Sequence, residues 1–503
     1  MRHDVVVVGG GPAGAAAARL LAAWGHSVVV LTKPDSRTPS LAESLPPSCG
    51  KLFSAVGVSA AVEAAGFLRS RGNTVWWGSG PPRTESFERG ATGYQVVRRT
   101  FDRLMRAEAE RAGAEIRREV TVRGVTLPPA GDSTGGVRVS AQDARGAPVI
   151  VEARSALDCS GRAGVVGRRY RERVAAGGST LALVGVWRHD TTWDVPDDSH
   201  TLVETYADGW AWSVPTSARR RYITVMVDPR TTAWDPGGPL GETYAAMLRK
   251  TTHVGRLIAG ARLEGAPWAC DASQYGARAF GGTGFLLVGD AATFIDPLSS
   301  FGVKKALASA WLAAIVVHTR LRRPEREALA LRLYDERERR IFASSRRQAA
   351  AFFADISHQN PHPFWTDRAD PADDETDPAD EDQIDRFRHD RDILDAFDAL
   401  KRAASIHLRA GDRVRRRMQP AVEGREVVAE TRLVIGDEPD ASVAVRYLRG
   451  VDLPRLVAMA GEHQQVPDLY EAYQRVCPPV ALPDFLGALS VLLGKGVLRN
   501  DFR

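Results

Sequence analysis

The sequence predicts an α/β fold: a Rossmann-type nucleotide-binding domain with an inserted antiparallel β-sheet domain, followed by a C-terminal helical domain. Three observations predict it. The first thirty residues read strand, Gly-rich turn, helix, strand, the order of a β-α-β unit. A further apolar strand, 284–288, runs into a Gly-Asp turn ahead of a long apolar helix. Between the two joints, residues 181–227 read as a series of strands.

The opening run of valines, 5–8, is the pattern of a strand buried on both faces. Gly9, Gly11 and Gly14 follow in G-x-G-x-x-G spacing, and Pro12 and Ala13 begin an Ala-rich helix. Gly9 makes the tight turn, Gly11 lets the backbone approach a pyrophosphate, and Gly14 lets helix pack on strand. The unpaired N–H groups and dipole at the helix start attract the anion. The next strand, 28–31, leads to Thr32 and Lys33, where such sites usually place an acid for the ribose hydroxyls. A threonine hydroxyl makes a weaker hydrogen bond than a carboxylate, and Asp35 is the nearest acid that can substitute.

Residues 42–48 read as a polar, Pro-rich loop leading into a helix. Arg98 or Arg99 stands at a strand-to-helix joint, within reach of a nucleotide's oxygens, or else as a solvated surface pair. Short strands over 115–156 lead to a second strand-to-Gly joint, Asp158-Cys159-Ser160-Gly161-Arg162. In the inserted sheet, about 170–280, Trp210 and Trp212 share one strand face, as core or as the wall of an aromatic pocket. The strand 285–288 delivers Asp290 at its carboxyl end, where open α/β sheets bind ligands. A turn containing Pro297 then feeds a helix through Gly302 and Val303.

At 503 residues, two or three domains are expected. The 67 basic and 62 acidic side chains leave a net charge of +5, too mild to argue for nucleic acid. The most apolar later stretch, 306–317, is too short to span a bilayer, and no secretory pattern opens the chain. Four scattered cysteines without C-x-x-C spacing read as reduced thiols of a cytoplasmic protein with no metal site.

Residues 346–390 read as an acidic linker, in which His358 and His362 lie in a loop and hold no metal. From 391 onward a helical domain is expected, with a charged helix over 386–418 whose arginines 413–417 face solvent or an anionic partner. A strand pair, three helices and a Gly-turned apolar end follow over 426–503.

Four blocks in fixed order, G-x-G-x-x-G, the Arg98 joint, DCSGR and GDAATFIDPLSSFGV, resemble the frame of flavin-dependent monooxygenases, tryptophan-halogenase-like proteins and geranylgeranyl reductases. The resemblance covers residues 1–345 and implies FAD as cofactor. It implies the pyrophosphate at Gly9–Gly14, Asp290 on the ribityl chain, Gly302 and Val303 beside the ring, and Arg98 on the nucleotide. GWAWSVP resembles the W-x-W-x-I-P signature of flavin-dependent halogenases, and AESLPPS is similar to their G-E-S-L-x-P segment. This implies that Trp210 and Trp212 wall the flavin from the substrate, with Glu43 near the flavin as a proton donor.

The pattern breaks at 67–74, where Ser70 takes the place of the halogenase lysine and no lysine occurs from 52 to 100. The expectation is therefore an FAD-dependent monooxygenase that hydroxylates an aromatic group through a flavin C4a-hydroperoxide. The group is a small aromatic metabolite or a Trp or Tyr side chain in a polypeptide. A halogenase and a geranylgeranyl-reductase-like flavin reductase are the alternatives, and a non-enzymatic flavin-binding scaffold ranks last. With one nucleotide fingerprint no dedicated NAD(P)H domain is expected; a separate flavin reductase supplies the electrons, or else nicotinamide binds transiently on the surface. The end of the chain resembles winged-helix modules that recognise leader peptides, implying a peptide or protein partner; neither nucleic acid nor membrane is expected.

Overall fold

The computed structural model describes residues 3–35, 38–129, 135–170, 173–232, 238–369, 386–403, 405–412, 414–436 and 443–500. The chain forms two compact units, Met1–Asp374 and Glu375–Arg503.

The first unit is organised on a parallel sheet. His3–Val8 lies at its centre, between Pro148–Asp158 and Val28–Thr32, with Phe285–Leu287 and Glu115–Arg118 further out. Val5, Val6 and Val7 are fully buried, as the central strand of a parallel sheet covered on both faces is. Helix Pro12–Ala23 buries its alanines against this sheet, and small side chains allow that approach. The register sets Val8 beside Leu31 and Asp158, and Asp158 beside Leu287. Four strands therefore end together, and their outgoing turns converge on one place.

A second sheet runs Arg262–Leu263, Leu181–Arg188, Arg220–Val227, Gly209–Ser217, Thr201–Tyr206, Gly72–Trp76, Arg83–Ser86. Its centre is antiparallel, as expected. Two of its strands come from well before residue 170, so the sheet is more than a single insertion; Gly72–Trp76 joins it parallel to Thr201–Tyr206. Residues 42–48 also differ from the expected loop. Ala42–Leu45 is a strand, held by pairing with Gly93–Val97.

The expected linker does not begin at 346. Helix Glu327–Ser357 runs through that position, and Pro363–Thr366 forms a further turn of helix. The reason is burial: Phe353, Ile356, Phe364 and Trp365 pack with Trp210 and Met226 of the second sheet. Trp365 Nε1 donates to the carbonyls of Tyr206 and Ala207, and Arg368 pairs with Asp228 at 3.0 Å. His362 caps the short helix by accepting from the Phe364 N–H, a structural role. The acidic run 370–385 lies outside the described residues.

In the second unit, helices Arg391–Arg402, Leu453–Met459, Val466–Val476 and Leu482–Gly494 share a core with the sheet Arg415–Glu423, Glu426–Ile435, Val443–Val445. The charged helix expected over 386–418 ends at Arg402, and its arginine-rich end is a strand. Gly424, at φ +60°, closes a two-residue hairpin that pairs Glu423 with Glu426, and this pairing holds Arg415–Arg417 extended. Arg413 lies outside the described residues.

Candidate active site

The converging strand ends open into a cavity of about 600 Å³. Each glycine of the first turn has its own steric reason. Gly9 has φ +106°, and a Cβ there would stand 2.3 Å from the Cys159 carbonyl oxygen. A Cβ on Gly14 would lie 1.9 Å from the Gly9 oxygen, so helix and strand approach only because it is absent. Gly11 is the opposite case: a Cβ there meets nothing within 4 Å and would occupy the cavity. Gly302, at the start of helix Gly302–Arg322, is equally open.

Neither helix start carries a side-chain cap or an acid in its first turn. Their N–H groups therefore stay available to an anion or a polar ring edge. Ser300, in the preceding turn, adopts φ +52° and lines the cavity. Non-glycine residues rarely hold this conformation, and it lets the turn bend tightly into helix Gly302–Arg322.

Gly9, Gly11, Pro12, Ala13, Thr32, Lys33, Glu43, Arg98, Trp212, Asp290, Pro297, Gly302 and Val303 all line the cavity. Gly14 sits behind the turn, and Trp210 sits in the apolar cluster with Trp77 and Trp365 rather than on the cavity wall. Thr32 donates to the Lys33 carbonyl at 3.4 Å, while Asp35 is paired with Arg103, which holds its carboxyl below the usual range. The choice between the two arginines is resolved: Arg99 binds Ser40 and Thr38 in the flanking loop, and Arg98 faces the cavity.

Arg98 stands between two carboxylates, Glu43 Oε1 at 3.0 Å and Asp102 Oδ1 at 3.3 Å. Burial pushes the Glu43 carboxyl up, and Arg98 pulls it part of the way back. Burial in turn opposes the Arg98 charge, yet Asp102 and Glu43 hold its pKa above its ordinary value. Arg98 and its two carboxylates form a partly buried ion-pair network at the cavity edge.

One face of the second sheet closes the far side. Ala182 pairs with Met226 and Cys270, and Thr224 pairs with Val184 and Trp212, so these cavity-lining side chains share a face. Trp212 is the bulky member of an otherwise small-residue wall.

Several residues that build the site were not singled out from sequence. Arg162 lies over the Phe294 ring at 4.2 Å, pairs with Asp271 and donates to the Ser273 carbonyl. Its place in the DCSGR block was the available signal. Asp158 orients that block by accepting from the N–H groups of Ser160, Val166 and Gly167. Lys305 pairs with Asp290, a contact that sequence spacing alone does not disclose. Ser70 is buried in the strand Leu68–Ser70 and does not line the cavity. Among the described lining residues the one lysine is Lys33, beside Thr32.

This arrangement is that of a dinucleotide site running into an apolar chamber. The chain belongs to the FAD binding domain family, whose model matches residues 2–346. It is 28% identical over 373 residues to a tryptophan 2-halogenase of Chondromyces crocatus, covering 72% of this chain and 70% of that protein. Among solved structures, CmlS, a flavin-dependent halogenase, matches with a TM-score of 0.74 at 21% identity, covering 99% of this chain and 96% of that one. QhpG, a peptidyl tryptophan dihydroxylase, matches with a TM-score of 0.66 at 24% identity, covering 95% and 98%. The protein is an FAD-dependent oxidoreductase of the tryptophan-halogenase-like superfamily, and FAD is its cofactor. The open cradles at Gly11 and Gly302 and the uncapped helix starts fit that cofactor. No helix among the described residues is long and apolar enough to cross a membrane, and none of their His, Cys, Asp and Glu groups could hold a metal.

Proposed function

We propose that this chain oxidises an electron-rich aromatic ring with reduced FAD and dioxygen. The observation that carries the reading is one continuous cavity joining the Gly9–Ala13 turn to the Trp212 wall. Gly9, Gly11, Pro12 and Ala13 would hold the pyrophosphate, with Gly14 letting the helix approach, and Thr32 and Lys33 would meet the adenosine end. Asp290 would meet the ribityl chain, and Pro297, Gly302 and Val303 the ring. When bound and reduced, FAD supplies the electrons that activate dioxygen. Arg98 would hold the nucleotide, and Glu43 beside it would keep and release a proton at its carboxyl. Trp212 and the small-residue sheet face exclude water and orient the aromatic group. Trp210 supports Trp212 from the core.

The curated relatives support halogen transfer as the reaction more than they support hydroxylation. A specific observation favours oxygen transfer as the second reading. Ser70, which stands in the halogenase lysine's place, is buried away from the cavity, and the lining lysine is at the nucleotide end. An arginine does not replace that amine, because its guanidinium stays protonated.

The substrate is a small aromatic molecule or a Trp or Tyr side chain in a polypeptide. Similarity over nearly the whole chain to a peptidyl tryptophan dihydroxylase supports the latter, and the exposed arginine edge strand Arg415–Glu423 offers a peptide or protein partner a docking edge. A separate reductase supplies reduced flavin, and the four free thiols suit a cytoplasmic setting.

The test mixes FADH2-loaded protein with oxygenated buffer, with and without chloride or bromide, in the presence of tryptophan, phenols or Trp-containing peptides. A product carrying halogen supports halogen transfer, and one carrying added oxygen regardless of halide supports hydroxylation. Absence of both oxygen consumption and product would sink the proposal.

A further inference from the structure

Lys305 occupies a position that electrostatics disfavours twice. It lies in the first turn of helix Gly302–Arg322, where the macrodipole repels a cation, and its side chain is only 2 % exposed. The chain has 67 basic side chains, of which seven are lysines, so a lysine at a buried site stands out. Its environment explains the choice. The ammonium has three donors, and three acceptors face it: Asp290 Oδ1 at 3.1 Å, Thr293 Oγ1 at 3.2 Å and the Thr293 carbonyl. A planar guanidinium does not match that compact niche. On helix Glu327–Ser357, Glu338 is buried as well, and neither of its carboxyl oxygens has a hydrogen-bond partner among the described residues.

We propose that Lys305 is a positioning residue for the cofactor: it grips one carboxylate oxygen of Asp290 and leaves the other to the cavity. The inference rests on Asp290 meeting FAD. Glu338 is faced by Lys305 and Ser309 from the neighbouring helix and by Tyr334 and Arg337 from its own; Lys305 is faced by Asp290, Thr293 and Glu338. Burial pushes the Glu338 carboxyl up to about 7, against the opposing pull of Lys305.

The experiment is a double-mutant cycle on FAD affinity by flavin fluorescence titration, with Lys305→Met, Asp290→Asn and the double variant, and melting of each apoprotein as a folding check. Each single change is expected to weaken FAD roughly tenfold, as loss of a charged hydrogen bond does, with the double variant no weaker than either. Where the Met variant does not fold, Lys305→Gln, which retains donors, replaces it in the cycle. Lys305→Gln, which keeps donors toward Asp290, is expected to recover part of the affinity that Lys305→Met loses. Normal affinity in Asp290→Asn refutes the placing of Asp290 on the cofactor. Weakened Asp290→Asn with additive losses, or no recovery in Lys305→Gln, overturns the role of Lys305.

Discussion

Adding one methyl group at Gly11 separates cofactor binding from folding. Gly11 sits at φ −76° and ψ −170°, a conformation alanine adopts freely, and its Cβ would meet no protein atom within 4 Å. Apoprotein stability in Gly11→Ala is therefore expected to stay within about 0.5 kcal/mol of wild type. The methyl does intrude into the cavity at the helix start. Crowding of this kind costs about 2–3 kcal/mol, which converts to FAD binding weaker by roughly 30- to 150-fold. Gly14→Ala is the contrast. Its Cβ would lie 1.9 Å from the Gly9 oxygen and 3.1 Å from Cys159 Cβ, and the first of these is backbone that has no room to retreat. That variant is expected to lose at least about 3 kcal/mol of folding stability. Thermal melts of the apoproteins and flavin fluorescence titrations read the two effects apart. Wild-type FAD affinity in Gly11→Ala, or an apoprotein melt as low as that of Gly14→Ala, would refute the assignment of the open cradle to the cofactor.

Further outcomes follow from other parts of the structure. Glu43→Gln is expected to bind FAD normally yet lose product, because the carboxyl that burial has pushed up is the proton source; normal turnover dismisses the role. Product formation by the wild type should also fall as pH rises through that raised pKa. Trp365→Ala is expected to cost about 3–5 kcal/mol in denaturant unfolding, since the ring is fully buried and its Nε1 donates to two carbonyls; a loss near zero would return 346–369 to the status of a linker. The raised Glu338 carboxyl works against folding at high pH. Its contribution is fully present below about 4.5 and lost as pH rises through about 7. The linkage amounts to at most about 3 kcal/mol, so Glu338→Gln should gain on the wild type in melts at pH 8 but not at pH 4.

Much of the site was legible because the information is local. Gly9, Gly11 and Gly14 declare their purpose by spacing, and Asp290 by following an apolar strand directly. Arg98 was narrowed to one of two residues, and the choice required seeing Ser40 and Thr38 take up Arg99. The two tryptophans share a face as the period-two rule requires, but face-sharing does not say which neighbour covers each. Trp212 borders the cavity, whereas Trp210 is capped by Phe353 and Trp365, more than 140 positions away.

The sequence by itself determined the β-α-β unit, the second strand-to-helix joint and the alternating strands of the inserted sheet, since each is set by side-chain periodicity and glycine geometry within a short window. Only the tertiary structure decided that residues 346–369 belong to the core, that Gly72–Trp76 joins the second sheet, and that Lys305 stands behind Asp290. A His- and Pro-rich run ahead of an acidic one makes the first of these stretches look like linker, and a lysine at a helix start looks solvated. What reverses both readings is burial against partners distant in the chain. That is a property of packing, and no local pattern encodes it.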